Sequence, residues 1–259
     1  MQVETAVILS AGMGTRLQEI GQSAPKGFLQ LGEQPIIEES IERLTACGMQ
    51  RIIIVTGHLS DFYERLQQRF HDQILTINNP HYAESGSMYS LYCARELIEG
   101  DFLLLESDLI YEQRALTAVL NFPKDNVVLL SGQTNAGDEV YVETSGETIV
   151  AMSKNKAELG SQIAGELVGI SKISQPLFQR MLAQASLRFK TSLKLDYETD
   201  GLIAAAKSYP VYYTVIRDLL WAEIDDRYQF ARAREQIYPA ILQKDAHLRN
   251  GTYTDIKPK

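Results

Sequence analysis

The run AVILSAGMGTRLQEIGQSAPK, residues 6–26, decides how the rest of the chain is read. Residues 6–9 are apolar and rich in β-branched side chains, the pattern of a buried strand. Ser10, Ala11, Gly12 and Gly14 follow, small residues that let a backbone turn tightly and come close to a ligand. Successive N–H groups in such a turn form a concavity suited to phosphate oxygens. Thr15 leads to Arg16, a planar forked cation that grips phosphate through two bonds. Pro25 then fixes the backbone just ahead of Lys26, a second cation at a defined place. Glycines after a strand say little alone. Leu17 occupies the third glycine position of a dinucleotide fingerprint, and the Gly-Lys-Ser/Thr of a P-loop is absent. The ordered series of strand, small-residue loop, arginine and Pro-Lys is what points to phosphate handling.

Outward from this stretch, strand and helix alternate. Residues 35–48 place Ile36, Ile37, Ile41, Leu44 and Cys47 at helical spacing, with Gly48 as a stop. Residues 51–56, RIIIVT, predict a buried strand ending at Gly57 and His58. Residues 61–70 predict an amphipathic helix burying Phe62, Leu66 and Phe70, and residues 74–77 a short strand. A helix is predicted over 87–98 and a buried strand over 101–106, followed by Ser107 and Asp108. This β-α-β-α-β rhythm predicts a mostly parallel α/β sheet, Rossmann-like, with helices on both faces. Its ligand belongs at the carboxyl ends of the strands. The opening loop, Gly57 and Ser107–Asp108 all fall there.

The second half is more antiparallel. A strand at 127–131 precedes a polar stretch, and residues 139–143 and 148–153 alternate around Ser145-Gly146 as a hairpin. A strand over 164–173, helices over 176–185 and from about 196 to 207, and strands near 211–217 and 220–224 come next. A closing helix is predicted over 227–242, with a loose polar tail from Asp245. With no linker or repeat, the reading is one domain over 1–245. Its nucleotide half spans about 1–125, its smaller lobe about 126–225 and its closing helix about 227–243; a tail covers 246–259.

Composition narrows the partners. A chain of 259 residues, 45% hydrophobic, can build a sizeable core. A net charge of −8 argues against nucleic acid, so a phosphate site must be a local positive pocket. Cys47 and Cys93 read as small buried hydrophobes in a reduced cytoplasm. No charged-then-apolar leader and no long apolar run is present, so a cytoplasmic protein without a membrane partner is expected.

GMGTRL and APKGF match at each specified position the G-x-G-T-R-[LM] and P-K signature of the nucleotidyltransferases that activate sugar phosphates and phosphorylated alcohols. SGSMYSLYCA, FLLLESDLIYE, SGQTNAGDEVYVE, SKNK, GELVGIS, KLDYE and WAEIDD resemble the cytidylyltransferases acting on phosphocholine and on 2-aminoethylphosphonate, over roughly residues 3–240. GDEVYVE, GELVGIS and KLDYE look closest to the aminoethylphosphonate branch. The resemblance implies a GT-A-like fold and transfer of CMP from CTP to 2-aminoethylphosphonate, releasing pyrophosphate. Phosphocholine is the rival acceptor, and a nucleotide-binding protein without catalysis the rival class. A homodimer stays open.

Site residues follow from both sources. Asp108 and Asp225, with Glu223 as an alternative, are the candidate Mg²⁺ ligands; carboxylate oxygens beside a triphosphate suit that ion, and the resemblance puts the family's metal positions there. Lys26, Arg16, Asp108 and Asp225 are the candidate catalytic set. Nucleotide contacts are assigned to Leu9, Ser10, Ala11, Gly12, Gly14, Thr15, Arg16, Lys26, Gly57, Ser85, Gly86 and Ser87, the reading of cytosine resting on the resemblance alone. Ser107, Glu139, Lys154, Asp196, Glu198 and Trp221 are assigned to the acceptor, Lys154 by resemblance. Asp138, Glu139, Asp196 and Glu198 outnumber plausible cage aromatics, which favours a primary ammonium over choline.

Overall fold

The computed structural model describes residues 3–17 and 23–249. Strands β1 (Thr5–Ser10), β2 (Arg51–Thr56), β3 (Ile74–Asn78) and β4 (Phe102–Glu106) lie in the spatial order β3-β2-β1-β4, all parallel. Their carboxyl ends therefore share one edge, and the residues 11–14 loop, Gly57 and Ser107–Asp108 emerge together. Alternation along each strand builds two cores. Val7, Leu9, Ile53, Val55, Phe102 and Leu104 face one side. Ala6, Ile8, Ile52, Ile54, Leu103 and Leu105 face the other. The second face is covered by α1 (Ile36–Ala46), α2 (Asp61–Phe70) and α4 (Gln113–Leu120), the first by α3 (Ser87–Cys93) and α5 (Gln175–Arg188). The expected α/β sheet with helices on both faces is what forms.

The sheet continues through the second half. β9 (Ile163–Ile173) runs antiparallel to β4 with its C-terminal part and to β7 (Tyr141–Ser145) with its N-terminal part. On its other edge it pairs with β6 (Val127–Ser131), which leads through β10 (Tyr212–Ile216) and β8 (Thr148–Ser153) back to β7. That closed circuit, antiparallel except where β6 pairs with β10, is the second lobe. A separate ribbon pairs β5 (Leu109–Tyr111) with β11 (Trp221–Glu223).

Several expectations need correction. The helix from Ser87 ends at Cys93, not 98, because Ala94, Arg95 and Leu97 donate to carbonyls only three residues back. Helix α2 buries Tyr63 and Leu66, with Phe62 and Phe70 half-buried. β5 and α4 were not foreseen; the three residues of β5 are too few for a period. Before the short α6 (Ile203–Ala206), residues Tyr197–Leu202 form a π-helical turn.

The closing helix runs past the expected end, through α7 (Arg227–Arg232), a π-helical stretch (Ala233–Ile237) and α8 (Tyr238–Arg249). Asp245 does not open a loose tail. It is buried, pairs with Arg43 of α1, and accepts a 3.0 Å bond from the Gln113 N–H at the start of α4. Residues 250–259 lie outside the described residues. Among those described, no helix is long and apolar enough to cross a membrane. Asp245→Ala leaves the Arg43 guanidinium buried and unpaired, so it is expected to lower unfolding free energy by about 3–5 kcal/mol in urea titration. A loss below about 1 kcal/mol, the ordinary worth of an exposed ion pair, would return this segment to the tail.

Candidate active site

The site grows from the exit of β1. Gly14 has φ of +62°, and a Cβ there would lie 3.3 Å from Lys26 Cγ, so only glycine leaves room for the lysine stem. Leu17 ends the following turn by burying itself in the core beneath α8. Pro25, at φ −62°, starts the turn of Lys26–Phe28. Gly27 beneath it is crowded by the Tyr63 hydroxyl, 3.1 Å from where a Cβ would stand. Tyr63 is wholly buried and shares a hydrogen bond with Ser10.

The ribbon supplies the carboxylates. Pairing of Leu109 with Glu223 brings the Ile224 N–H to the Asp108 carbonyl at 3.2 Å, so Asp108 and Asp225 meet across a large sequence gap. The Lys26 ammonium lies between them, 2.7 Å from Asp108 and bonded also to Asp225. Arg16, 2.5 Å from Asp225, closes the group from the solvent side. Burial opposes the charge on Lys26, but Asp108 and Asp225 outweigh it and hold the amine above the usual lysine range. Burial likewise works against the Asp225 carboxylate, and Lys26 with Arg16 more than reverses it, so its pKa is lowered.

Two further acids behave differently. Glu223 is pushed up to about 8 by burial and then by the charges of Asp108 and Asp225. Glu106 is raised well above the carboxylate range by burial, then by Glu223 and Glu198. Oxygens of Glu106, Asp108 and Glu223 lie within 4.8 Å of one another, and so do those of Asp138, Glu223 and Asp225. These hard, closely grouped carboxylate donors fit a divalent cation.

Two cavities flank this cluster. The first, about 680 Å³, is lined by Leu9, Ser10, Ala11, Gly12 and Lys26 on one side and Ser85, Gly86 and Ser87 on the other, with Ser107, Tyr63, Tyr82 and Ser90. The second, about 580 Å³, is lined by Asp138, Glu139, Lys154, Glu198 and Trp221. Glu106 and Glu223 line both.

The family model of the MobA-like NTP transferase domain matches residues 6–189. The chain belongs to the MobA-like NTP transferase family. The matched domain is thus of nucleotidyltransferase class, and the solved structures it resembles share the fold. The inositol-1-phosphate CTP transferase of T. maritima superposes with a TM-score of 0.77 at 17% identity, covering 95% of this chain and 97% of that one. The 2-aminoethylphosphonate cytidylyltransferase of Lancefieldella rimae is 27% identical over 180 residues, 68% of this chain and 69% of that protein. A CMP-5'-(3-aminopropyl)phosphonate synthase of Streptomyces rubellomurinus is 26% identical over 89% of this chain. The choline-phosphate cytidylyltransferase of Streptococcus pneumoniae is 33% identical over 38% of it. This chain spans only 39% and 42% of the length of those last two relatives.

The assigned residues divide between the two cavities and their surroundings. Leu9, Ser10, Ala11, Gly12, Lys26, Ser85, Gly86 and Ser87 come together around the first cavity. Gly14, Thr15 and Arg16 sit beside it, not among its lining residues. Gly57 packs behind the loop, where a Cβ would meet the Ala11 carbonyl at 2.7 Å. Ser107, assigned to the acceptor, lines the first cavity. Asp196 is exposed and does not line the second, which Glu139, Lys154, Glu198 and Trp221 do. Glu106 and Tyr63 were missed. Glu106 had a signal, two residues before Asp108 at the same strand end; Tyr63 was masked by its aromatic neighbours.

Gly86 ties the residue 85–87 wall of the first cavity to residues 193–197 behind it. Its N–H donates to Leu193 at 2.9 Å, the Met88 N–H to Leu195 at 2.9 Å, and the Tyr197 N–H to Ser87 Oγ at 2.9 Å. A Cβ on Gly86 would lie 2.2 Å from the Leu195 carbonyl oxygen. Gly86→Ala must open this clasp, at a cost of about 1–3 kcal/mol of stability. It is expected to weaken CTP binding about tenfold or more, read by calorimetry. An affinity unchanged within twofold would detach the clasp from the nucleotide site.

Proposed function

We propose that the chain is a cytidylyltransferase that moves CMP from CTP onto 2-aminoethylphosphonate, releasing pyrophosphate. The observation that carries this reading is the lining of the second cavity. Five carboxylates, Glu106, Asp138, Glu139, Glu198 and Glu223, share it with a single lysine, Lys154. A small molecule with an ammonium at one end and an anionic phosphonate at the other matches that division. Choline wants an aromatic cage, and Trp221 is the one aromatic residue lining this cavity. Tyr141 has its ring face taken by Lys156, 4.2 Å from the centroid. Trp221 Nε1 and Glu198 Oε2 are buried without a hydrogen-bond partner, polar atoms that a bound acceptor would satisfy. Two relatives named for aminoalkylphosphonates support the same class.

The step is an in-line displacement. A phosphonate oxygen, already anionic near neutral pH, forms a bond to the α-phosphorus of CTP, and the bond to the β-bridging oxygen breaks with its electron pair leaving on pyrophosphate. No residue needs to remove a proton from the nucleophile. Lys26 offers a fixed cation to the α-phosphoryl oxygens as charge shifts among them, and Arg16 one to the departing pyrophosphate. Lys154 holds the acceptor's anionic end. Mg²⁺ would be held by Asp108 and Asp225, with Glu223 beside them, and supplies charge neutralisation at the phosphoryl oxygens when bound.

Pyrophosphate release with CTP and Mg²⁺ tests the reading. A higher kcat/KM for 2-aminoethylphosphonate than for phosphocholine is expected, and the reverse order would move the assignment to choline. Lys26→Ala is expected to lower kcat by about 10²–10³-fold while CTP affinity changes far less. Equal losses in both would reduce Lys26 to a binding residue. Glu198 gives a pH signature, because burial, with Asp196 adding to it, pushes its carboxyl up to about 7. It gains its negative charge as pH rises through that value, so KM for the ammonium acceptor falls between about pH 6 and 8. Glu198→Gln should flatten the part of that slope not shared with CTP; an identical profile would take Glu198 out of acceptor binding.

A further inference from the structure

The loop between β6 and β7, residues 132–140, carries Asp138 into the acceptor cavity yet contains two left-handed residues, Asn135 at φ +54° and Gly137 at φ +97°. Such a loop holds a carboxylate in place only if something fixes it. Its first half is held by Thr134, whose N–H and hydroxyl donate to Glu166 at 2.9 and 2.7 Å and whose carbonyl accepts from Arg232 at 2.9 Å. Its second half is held by Gln229.

Gln229 is buried on α7. Its Oε1 accepts from the Asp225 N–H at 2.6 Å and the Asp226 N–H at 3.2 Å. Its Nε2 donates to Asp138 Oδ2 at 2.7 Å, and its backbone N–H donates to Asp226 Oδ1 at 2.8 Å. The second and last of these contacts, with Asp226, form an ordinary capping box, which any acceptor at this position could complete. The bond to Asp138 is outside that box. It needs a donor, and it joins the acceptor lobe to the end of the strand that carries Glu223 and Asp225. Asp138, Glu223 and Asp225 have oxygens within 4.8 Å of one another, so the loop would recoil from its neighbours without that donor.

We infer that Gln229 is a positioning residue for acceptor recognition: its amide, reading the Asp225 backbone with one end and the Asp138 carboxylate with the other, sets where the acceptor loop stands relative to the catalytic carboxylates. The inference rests on the proposed acceptor cavity, but the bond itself can be tested without turnover. The amide is oriented for this work. Its oxygen faces two N–H donors and its nitrogen faces a carboxylate, so no flip satisfies both.

The test exploits that polarity. Gln229→Glu keeps the cap but puts a carboxylate against Asp138, and Asp138→Asn in the same chain restores the bond with donor and acceptor exchanged. In the full chain, Gln229→Glu is expected to speed amide exchange over residues 134–139 about tenfold or more, and the double variant to return it to within about threefold of the parent. Under turnover, Gln229→Glu should raise the acceptor KM about tenfold while the CTP dissociation constant, read by calorimetry, moves less than twofold. Unchanged exchange in Gln229→Glu, or no recovery in the double variant, would leave Gln229 a helix cap and overturn the inference. Equal losses of CTP and acceptor binding would do the same. If the parent turns over no acceptor, the reading of function fails, and the exchange data still decide the role of Gln229.

Discussion

The ammonium of Lys26, buried between Asp108 and Asp225, is the interaction on which the rest of the site depends. Its partners lie 82 and 199 residues away in sequence. A buried charge that loses its partner costs about 3–5 kcal/mol, so the three groups must arrive together or not at all. The phosphate loop, the ribbon of β5 and β11, and the Pro-Lys turn are thereby fixed to one another. This explains why Gly14 and Gly27 must be small: each leaves room for something packed against the lysine turn.

Much of this frame was legible in the chain. β1, β2 and β4 are short apolar runs, and the helices between them repeat apolar side chains at helical spacing, so a parallel sheet followed from the alternation of strand and helix. The loop motif was legible because its residues act locally, through backbone shape and fixed charges. Lys26, Asp108 and Asp225 were placed by motif, and the structure brings them to one point. Their mutual neutralisation was not foreseen, since it depends on the ribbon that pairs two three-residue strands without a period of their own.

What was missed shares one cause. Asp245 looks like the start of a polar tail until Arg43 and the Gln113 N–H are seen to need it. Ser107 and Asp196 were assigned to the acceptor, yet Ser107 lines the first cavity together with Glu106 and Asp108, and Asp196 is exposed. Gln229 carries no motif. It is one polar residue in a helix start, and its meaning comes from the Asp225 N–H and the Asp138 carboxylate that other elements deliver.

The shared wall of Glu106 and Glu223 then poses a physical problem. A triphosphate on one side and a phosphonate on the other would both be repelled by an acidic partition. Burial answers part of it, holding Glu223 at about 8 and Glu106 well above the carboxylate range, so near neutral pH the wall carries less charge than its composition suggests. Fixed cations answer another part, Lys26 and Arg16 toward the nucleotide and Lys154 toward the acceptor. On the proposed reading a chain of net charge −8 would thus receive two anions, because fixed cations stand at both cavities and burial lowers the charge of the wall between them. The same ordering would disfavour a phosphate acceptor with no cationic end, which would leave the buried Glu198 Oε2 without a partner.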